Sequence, residues 1–300
     1  MSKSAGMIGL GIMGMPMSAN MLKDGITVYG YGGPRSNREK IAVLEKMGGN
    51  GTQSPREVAE KTEVVLTCLP NVASLNEVIS GKDGILSAGR SDIVVVETST
   101  FPIEDKQRAR EILGKAGIVL LDCPLSGTGA QAIRKDLAVF ASGDKQAYEK
   151  CVPVFKGFSR AIYYLGEFGN GSRMKYVANL LVAIHNVSAA EAFVLGTKAG
   201  LDPQMIYEVI SDSAGTSRMF EVRGPLMVEE KYDEATMKVD IWQKDMRIIG
   251  DFATKLGCPT PLFAASALLY TAAMAQGRAK QDTASVCAVL ETWANFKREK

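Results

Sequence analysis

Short apolar runs alternate with amphipathic stretches up to about residue 165, after which helical periodicity takes over. The first run, Ala5-Gly6-Met7-Ile8, reads as the end of a buried strand, and Met17, Asn20, Met21 and Leu22 beyond it recur at helical spacing. Asp24-Gly25 ends that helix and leads into a second strand over 26–31. Strands over 63–69, 92–97 and 118–123 follow, with helices expected near 54–61, 71–80 and 102–116. This alternation predicts an α/β fold, with a mostly parallel sheet and helices on both faces. Two more strands, over 137–142 and 161–165 and separated by a helix near 144–155, are expected to complete the sheet and close a first domain over 1–165.

The remainder, 166–300, reads as all-helical. A proline-free segment over 171–199 predicts a helix of about 43 Å that would form the spine of this second domain. Gly200 caps it and Pro203 opens the next helix, with further helices expected over 203–213, 217–229, 235–256, 260–276 and 281–297. An all-helical domain of this kind buries its apolar faces against a twin, so a homodimer or homotetramer is expected.

Between the first strand and the first helix stands Gly9-Leu10-Gly11-Ile12-Met13-Gly14. In that position the Gly-x-Gly-x-x-Gly spacing is a dinucleotide-binding turn. Gly9 permits the bend, Gly11 lets the backbone approach a pyrophosphate, and Gly14 lets the helix pack closely on the strand. Gly9, Gly11, Ile12, Met13 and Gly14 are therefore candidate cofactor contacts. An acid at the end of the second strand would bind the ribose 2′-hydroxyl of NAD. Here the strand runs into Gly32-Gly33-Pro34-Arg35-Ser36-Asn37-Arg38, with no acid before Glu39. Arg35, Ser36 and Arg38 offer cations and a hydroxyl for a 2′-phosphate, so the reading leans to NADP and leaves NAD open. The later strands end in Cys68-Leu69-Pro70-Asn71, Glu97-Thr98-Ser99-Thr100 and Pro124-Leu125-Ser126-Gly127. Ligands of such sheets bind beyond the carboxyl ends of the strands, so these segments and the glycine turn face one crevice.

Composition narrows the partners. A net charge of +2, with 23% charged and 46% hydrophobic residues, leaves no footprint for nucleic acid or an anionic membrane. The five cysteines are scattered without a Cys-x-x-Cys pair, against zinc or a disulfide framework and in favour of reduced cytoplasmic thiols. The start lacks the layout of a signal peptide, and no uninterrupted apolar segment has the length to span a bilayer. Lys175, one turn into the predicted spine helix, shares a face with Asn179 at i+4. The helix's positive end disfavours a cation there and would lower its pKa, which suits a general acid/base. Gly169 and Gly171 ahead of it would permit close approach of a ligand. His185, the one histidine, lies about 15 Å further along the helix on a different face and reads as a packing residue.

These motifs resemble, in order and almost end to end, those of the β-hydroxyacid dehydrogenases, the group of 3-hydroxyisobutyrate dehydrogenase and tartronate semialdehyde reductase. The resemblance rests on the glycine turn with Met13-Gly14-Met15-Pro16-Met17 and Asn20, then Leu69-Pro70, Ser99-Thr100 and Asp122-Cys123-Pro124-Leu125-Ser126-Gly127. It continues through Gly169-x-Gly171-x-x-x-Lys175-x-x-x-Asn179 to Lys244-Asp245. It implies a Rossmann dinucleotide-binding domain followed by an all-α domain built around a long interdomain helix. It also implies hydride transfer between a nicotinamide cofactor and a small 3-hydroxy acid or its semialdehyde. By resemblance, Ser126, Gly127 and Thr128 would hold the substrate carboxylate, Lys175 would be the acid/base, and Asn179 would orient the substrate. Leu69, Pro70 and Thr100 would line the nicotinamide side of the cofactor, and Lys244 would close over cofactor and substrate from the second domain. The family more often has two glycines after the serine, where this chain has Gly127-Thr128-Gly129. The helical half is similar to L-threonate-type dehydrogenases through Ser213-Ala214-Gly215-Thr216-Ser217-Arg218-Met219-Phe220. Those relatives often carry an aspartate where Gly32 stands, which adds to the NADP leaning. A non-catalytic dinucleotide-binding scaffold or sensor and an imine reductase use the same architecture. The presence of Lys175 weighs against both.

Overall fold

The apolar runs of the first 122 residues are buried on both faces and assemble into one parallel sheet. In the computed structural model, which describes residues 4–34 and 37–298, the chain begins β1 (Ser4–Ile8), α1 (Gly14–Lys23), β2 (Thr27–Tyr31), α2 (Asn37–Lys46) and β3 (Asn50–Gly51). It continues through α3 (Pro55–Lys61), β4 (Val64–Thr67), α4 (Val72–Ser80), β5 (Val94–Glu97), α5 (Ile103–Lys115) and β6 (Val119–Asp122). The strand order is β3-β2-β1-β4-β5-β6, every pair parallel. Winding reverses between β1 and β4, the point at which sheets of this order bind their ligands. Successive strand residues point to opposite faces. Met7, Leu66 and Val96 enter one core with Met17 and Met21 of α1. Ile8, Val65 and Val95 enter the other with Val58 of α3 and Leu113 of α5. The α2 helix and the two-residue β3 were absent from the expectation, since α2 buries only Ile41 and Leu44 and has a weak apolar face.

One expectation is corrected. Residues 137–142 and 161–165 do not complete this sheet. β7 (Leu125–Ser126), α6 (Gly129–Ile133), β8 (Ala138–Ala141), α7 (Lys145–Phe158) and β9 (Ala161–Tyr164) follow β6, and the three strands form a separate sheet. β8 runs antiparallel to β7 and parallel to β9. Pro124 has no N–H to donate, so the β6 edge cannot carry a continuous ladder past it. What joins the two sheets is the bridge between Asp122 and Ser142, with N–H···O distances of 3.0 and 2.8 Å.

The chain divides into two compact units, Met1–Lys175 and Tyr176–Lys300. α8 (Asn170–Lys198) starts in the first and continues through the second as one helix, followed by α9 (Pro203–Ser211), α10 (Arg218–Val228), α11 (Val239–Lys255), α12 (Pro261–Ala275) and α13 (Val286–Trp293). The longest unbroken apolar run of α8 is five residues, 180–184. Even so, among the described residues it is the one helix long and apolar enough to cross a membrane by length and composition alone. A polar residue within it has partners in the helical unit: Asn186 donates to the Tyr270 hydroxyl at 3.0 Å and to the Thr283 carbonyl at 2.9 Å.

The second unit is pinned by Asp282, fully buried ahead of α13. Its Oδ2 accepts from Arg223 Nη1 of α10 (2.8 Å) and from the Thr236 and Met237 amides (2.8 and 3.2 Å), and Oδ1 accepts from the Ala284 amide (3.0 Å). Arg223 is itself 2% exposed, so neither charge can fall back on water. Arg223→Ala should therefore leave a buried carboxylate uncompensated and lower stability by about 3–5 kcal/mol, read as a fall in the urea midpoint.

Candidate active site

The glycine turn closes against its neighbours and stays open at one place. Gly9 adopts φ +107°, and its N–H donates to the Tyr31 carbonyl at 2.8 Å. A Cβ on Gly9 would lie 2.1 Å from the Cys68 carbonyl oxygen, and one on Gly14 would lie 2.0 Å from that of Gly9. Gly11 is different: a Cβ there meets nothing within 4 Å, and both Gly11 and Ile12 are exposed. The residue ahead of α1, Met13, has no side chain that can cap the helix, and the first turn carries no acid. No capping side chain or acid occupies the amino end of α1, so its positive potential stays available to a phosphate, and the turn fits a dinucleotide.

At the end of β2, the Gly32 N–H donates to Asn37 Oδ1 (2.6 Å) and Lys40 Nζ donates to the Gly32 carbonyl (3.0 Å). A Cβ on Gly32 would stand 2.8 Å from the Lys40 Cβ, so an aspartate has no ready place there. Arg38 is exposed on α2, while Arg35 and Ser36 lie outside the described residues. Lys40 is a cation at this position that the sequence reading did not single out.

The next strand ends are tied to one another. The Leu69 amide donates to Ser99 Oγ (2.8 Å), and the Ser99 amide donates to Glu97 Oε1 (2.9 Å). Leu69 and Thr100 are half-buried and Pro70 is exposed. Below them Lys106 Nζ lies 2.7 Å from Glu97 Oε2 and 2.8 Å from Asp122 Oδ1, with all three side chains at 0% exposure. Burial lowers the pKa of Lys106, but the Asp122 and Glu97 carboxylates outweigh it and hold the value above that of an ordinary lysine. Asp122 then reaches α8: its Oδ2 accepts from the Ser172 amide and its Oδ1 from Ser172 Oγ, both at 2.8 Å. Ser142 Oγ accepts from the Gly171 amide at 2.9 Å. Lys175 stands one turn further on, 9% exposed.

The expectation that Gly171 admits a ligand is corrected. A Cβ there would lie 2.3 Å from the Phe140 carbonyl oxygen and 2.6 Å from that of Asp122, so this glycine admits the protein's own backbone. Its φ is unremarkable for a helix; the close approach alone requires the missing side chain.

Ser126 ends β7, and Gly127 follows at φ +130°. The Thr128 amide donates to Gln131 Oε1 at 3.0 Å, part of a capping box that starts α6. The following helix sits against the dinucleotide turn: a Cβ on Gly129 would meet Ile12 Cγ2 at 2.6 Å. Asn20 of α1 holds the far end of α6 by donating to the Ala132 carbonyl at 2.7 Å. In the first unit, then, the glycine turn, Leu69, Pro70, Thr100, Ser126, Gly127 and Thr128 all follow the carboxyl ends of strands, and hydrogen bonds tie Lys175's helix to β6.

Asn179 and Lys244 belong to the helical unit. Asn179 is 4% exposed and its Nδ2 donates to Asp245 Oδ2 at 2.9 Å, while Lys244 Nζ lies 3.3 Å from Asp245 Oδ1. Asp245 therefore orients Asn179 and pairs with Lys244. His185 is half-buried with no role in this constellation. Sequence reasoning missed Lys106 and Ser142, placed Glu97 only as a strand end facing the crevice, and gave Asp245 no function. A usable signal existed: Glu97 and Asp122 end adjacent strands and pair directly, and two facing buried acids require a cation between them. Among the described residues no group of three His, Cys, Asp or Glu side chains could hold a metal ion.

Comparison with known proteins gives the family. Residues 4–166 match the family model for the NAD binding domain of 6-phosphogluconate dehydrogenase, and 169–290 match that for the NAD-binding region of NADP-dependent 3-hydroxyisobutyrate dehydrogenase. The chain is 34% identical to L-threonate dehydrogenase of Haemophilus influenzae, over 94% of this chain and 93% of that one. It is 30% identical to 2-(hydroxymethyl)glutarate dehydrogenase of Eubacterium barkeri, over 95% and 94% of the two chains. It is similar to the crystal structure of a 3-hydroxyisobutyrate dehydrogenase from Salmonella typhimurium, with TM-score 0.86, 30% identity, and coverage of 95% of this chain and 99% of that one. With its open dinucleotide turn, its anchored lysine helix and relatives of matching length, the chain belongs to the β-hydroxyacid dehydrogenase family and is an NAD(P)-dependent oxidoreductase.

Proposed function

We propose that the chain transfers hydride between NADP and a small 3-hydroxy acid or its semialdehyde or keto form, with Lys175 as general acid/base. The observation that carries this reading is a buried lysine one turn into a helix whose first turn is anchored to the carboxyl end of β6. Two relatives are named for L-threonate and 2-(hydroxymethyl)glutarate, which supports a small hydroxylated carboxylate as substrate. The nicotinamide cofactor, when bound, supplies C4 as the hydride acceptor or donor. Lys175 Nζ takes the hydroxyl proton in oxidation and returns a proton to the alkoxide oxygen in reduction. Ser126, Gly127 and Thr128 anchor the carboxylate from the turn between β7 and α6. Asn179, held by Asp245, orients the substrate, and Lys244 covers cofactor and substrate. Leu69, Pro70 and Thr100 would hold the nicotinamide side of the cofactor, with Leu69 positioned by Ser99.

NADP is favoured over NAD because Gly32 has no carboxylate and no room for one, while Lys40 and Arg38 add positive charge beside it. The functional division we favour is a dinucleotide-binding domain to about residue 165 and a helical substrate and dimerisation domain beyond. A second copy suits the helical unit, since α12 is apolar on all sides yet leaves Leu262 and Leu268 about two-thirds exposed. All five cysteines are unpaired, in keeping with a cytoplasmic enzyme.

Lys175→Ala should bind NADPH within a few-fold of the parent and lose about a hundredfold to ten-thousandfold in kcat on a panel of 3-hydroxy acids. Near-parental turnover would refute the assignment. In the same assays the Arg35→Ala/Arg38→Ala variant should lower kcat/KM for NADP by about tenfold or more and change the value for NAD little. A parent enzyme that prefers NAD contradicts the cofactor reading. Sedimentation should give a dimeric or tetrameric mass, reduced in the Leu262→Lys/Leu268→Lys variant.

A further inference from the structure

The cluster beneath the strand ends contains two carboxylates and one ammonium, all fully buried. It therefore carries one unmatched negative charge, and α8 meets that charge. Of the first N–H groups of α8, Ser172's donates to Asp122 Oδ2, Gly171's to Ser142 Oγ and Arg173's to the Gly169 carbonyl. The Ser142 hydroxyl in turn lies 3.3 Å from Asp122 Oδ2. Asp122 thus caps α8 from another element, with a charged oxygen placed against the positive end of the helix.

Lys175 lies three residues beyond Ser172, on the same face of the helix, and helical side chains lean back toward the amino end. Lys175 is thus carried one turn beyond a helix end whose positive potential the Asp122 carboxylate offsets. Arg173 is exposed and bonded to Asn170 Oδ1, and Asp245 is paired with Lys244 while it holds Asn179 one turn later.

We propose that Lys106, Glu97 and Asp122 form a positioning device for Lys175, which fixes the first turn of α8 and uses its unmatched negative charge to favour the Lys175 ammonium. The proposal rests on Lys175 being the acid/base. Lys106 contributes by bridging the two carboxylates, and Glu97 by keeping Lys106 charged while its second oxygen binds the Ser99 amide. None of the three is a catalytic residue, since each acts through α8.

The test is the pH dependence of kcat/KM for hydroxy-acid oxidation in the full-length enzyme, with NADPH binding followed by fluorescence. Oxidation needs neutral Lys175, so the rate rises with pH through the lysine's pKa in the free enzyme. Removing a nearby negative charge makes the ammonium easier to deprotonate. Asp122→Asn and Glu97→Gln should each move the ascending limb to lower pH, Asp122→Asn by about half a unit or more. Ser172→Ala keeps the charge and loses one hydrogen bond, so kcat should fall a few-fold with the limb unmoved. A limb that coincides with the parent's in both charge variants overturns the proposal. Glu97→Gln leaves Asp122 its bonds to α8 and decides the matter alone if Asp122→Asn does not fold. Lys175→Met separates the two readings. If it retains turnover, the acid/base assignment fails. If it is inactive while the limb stays fixed in the charge variants, the positioning proposal alone fails.

Discussion

Lys106 sits at full burial between Glu97 and Asp122, 2.7 and 2.8 Å from their oxygens, and the geometry of the first unit's strand ends depends on that contact. One arm runs through Glu97 to the Ser99 amide and from Ser99 Oγ to the Leu69 amide, which sets the segments after β5 and β4. The other runs through Asp122 to Ser172 and fixes the start of α8. A buried ion cluster of this kind adds little to net stability, because desolvation offsets most of the attraction. Its effect is on specificity of arrangement: removing one member leaves the others charged and dry, at a penalty of about 3–5 kcal/mol. The strand ends are therefore held in one register with each other and with α8.

Two helix amino ends in this unit meet opposite treatment, and the contrast explains their chemistry. α1 begins at Gly14 with no side chain to cap it from Met13, and Gly11 ahead of it faces open space. α8 begins with its amides taken up by Asp122, Ser142 and backbone carbonyls. An open amino end attracts an external anion such as a phosphate, while a filled one has none of that capacity left. The protein spends a carboxylate of its own where it needs a fixed lysine and leaves the site free where it needs a cofactor.

The sheet and its crevice were legible in the sequence because both follow from apolar periodicity and strand polarity. Val64–Thr67 and Val94–Glu97 read as buried runs and proved buried at every position. What escaped were elements too short or too polar to carry a period: α2, with Ile41 and Leu44 as its only buried residues, and β3 and β7 at two residues each. The separate small sheet was missed because Pro124 was read as a strand end, without following what a missing N–H does to the next ladder. Lys106 was invisible locally. Its helix, Ile-Glu-Asp-Lys-Gln-Arg-Ala-Arg, looks like a solvated face, and only the pairing of Glu97 with Asp122 across neighbouring strands reveals the need for a buried cation.

The glycines of the two motifs sharpen the point that spacing alone does not assign a role. Gly9, Gly14 and Gly171 are each required because backbone oxygen lies 2.0 to 2.3 Å from where a Cβ would stand. They let protein approach protein. Gly11 has nothing within 4 Å, so packing gives no reason for its missing side chain, and close approach by a ligand does. The same residue type in two signatures therefore marks opposite things: a contact already made inside the fold, and a surface kept bare for a contact to come. Gly171 supports the chemistry indirectly. By letting α8 press against the Phe140 and Asp122 carbonyls, it brings the Ser172 amide within reach of the Asp122 carboxylate, and the next turn of that helix carries Lys175.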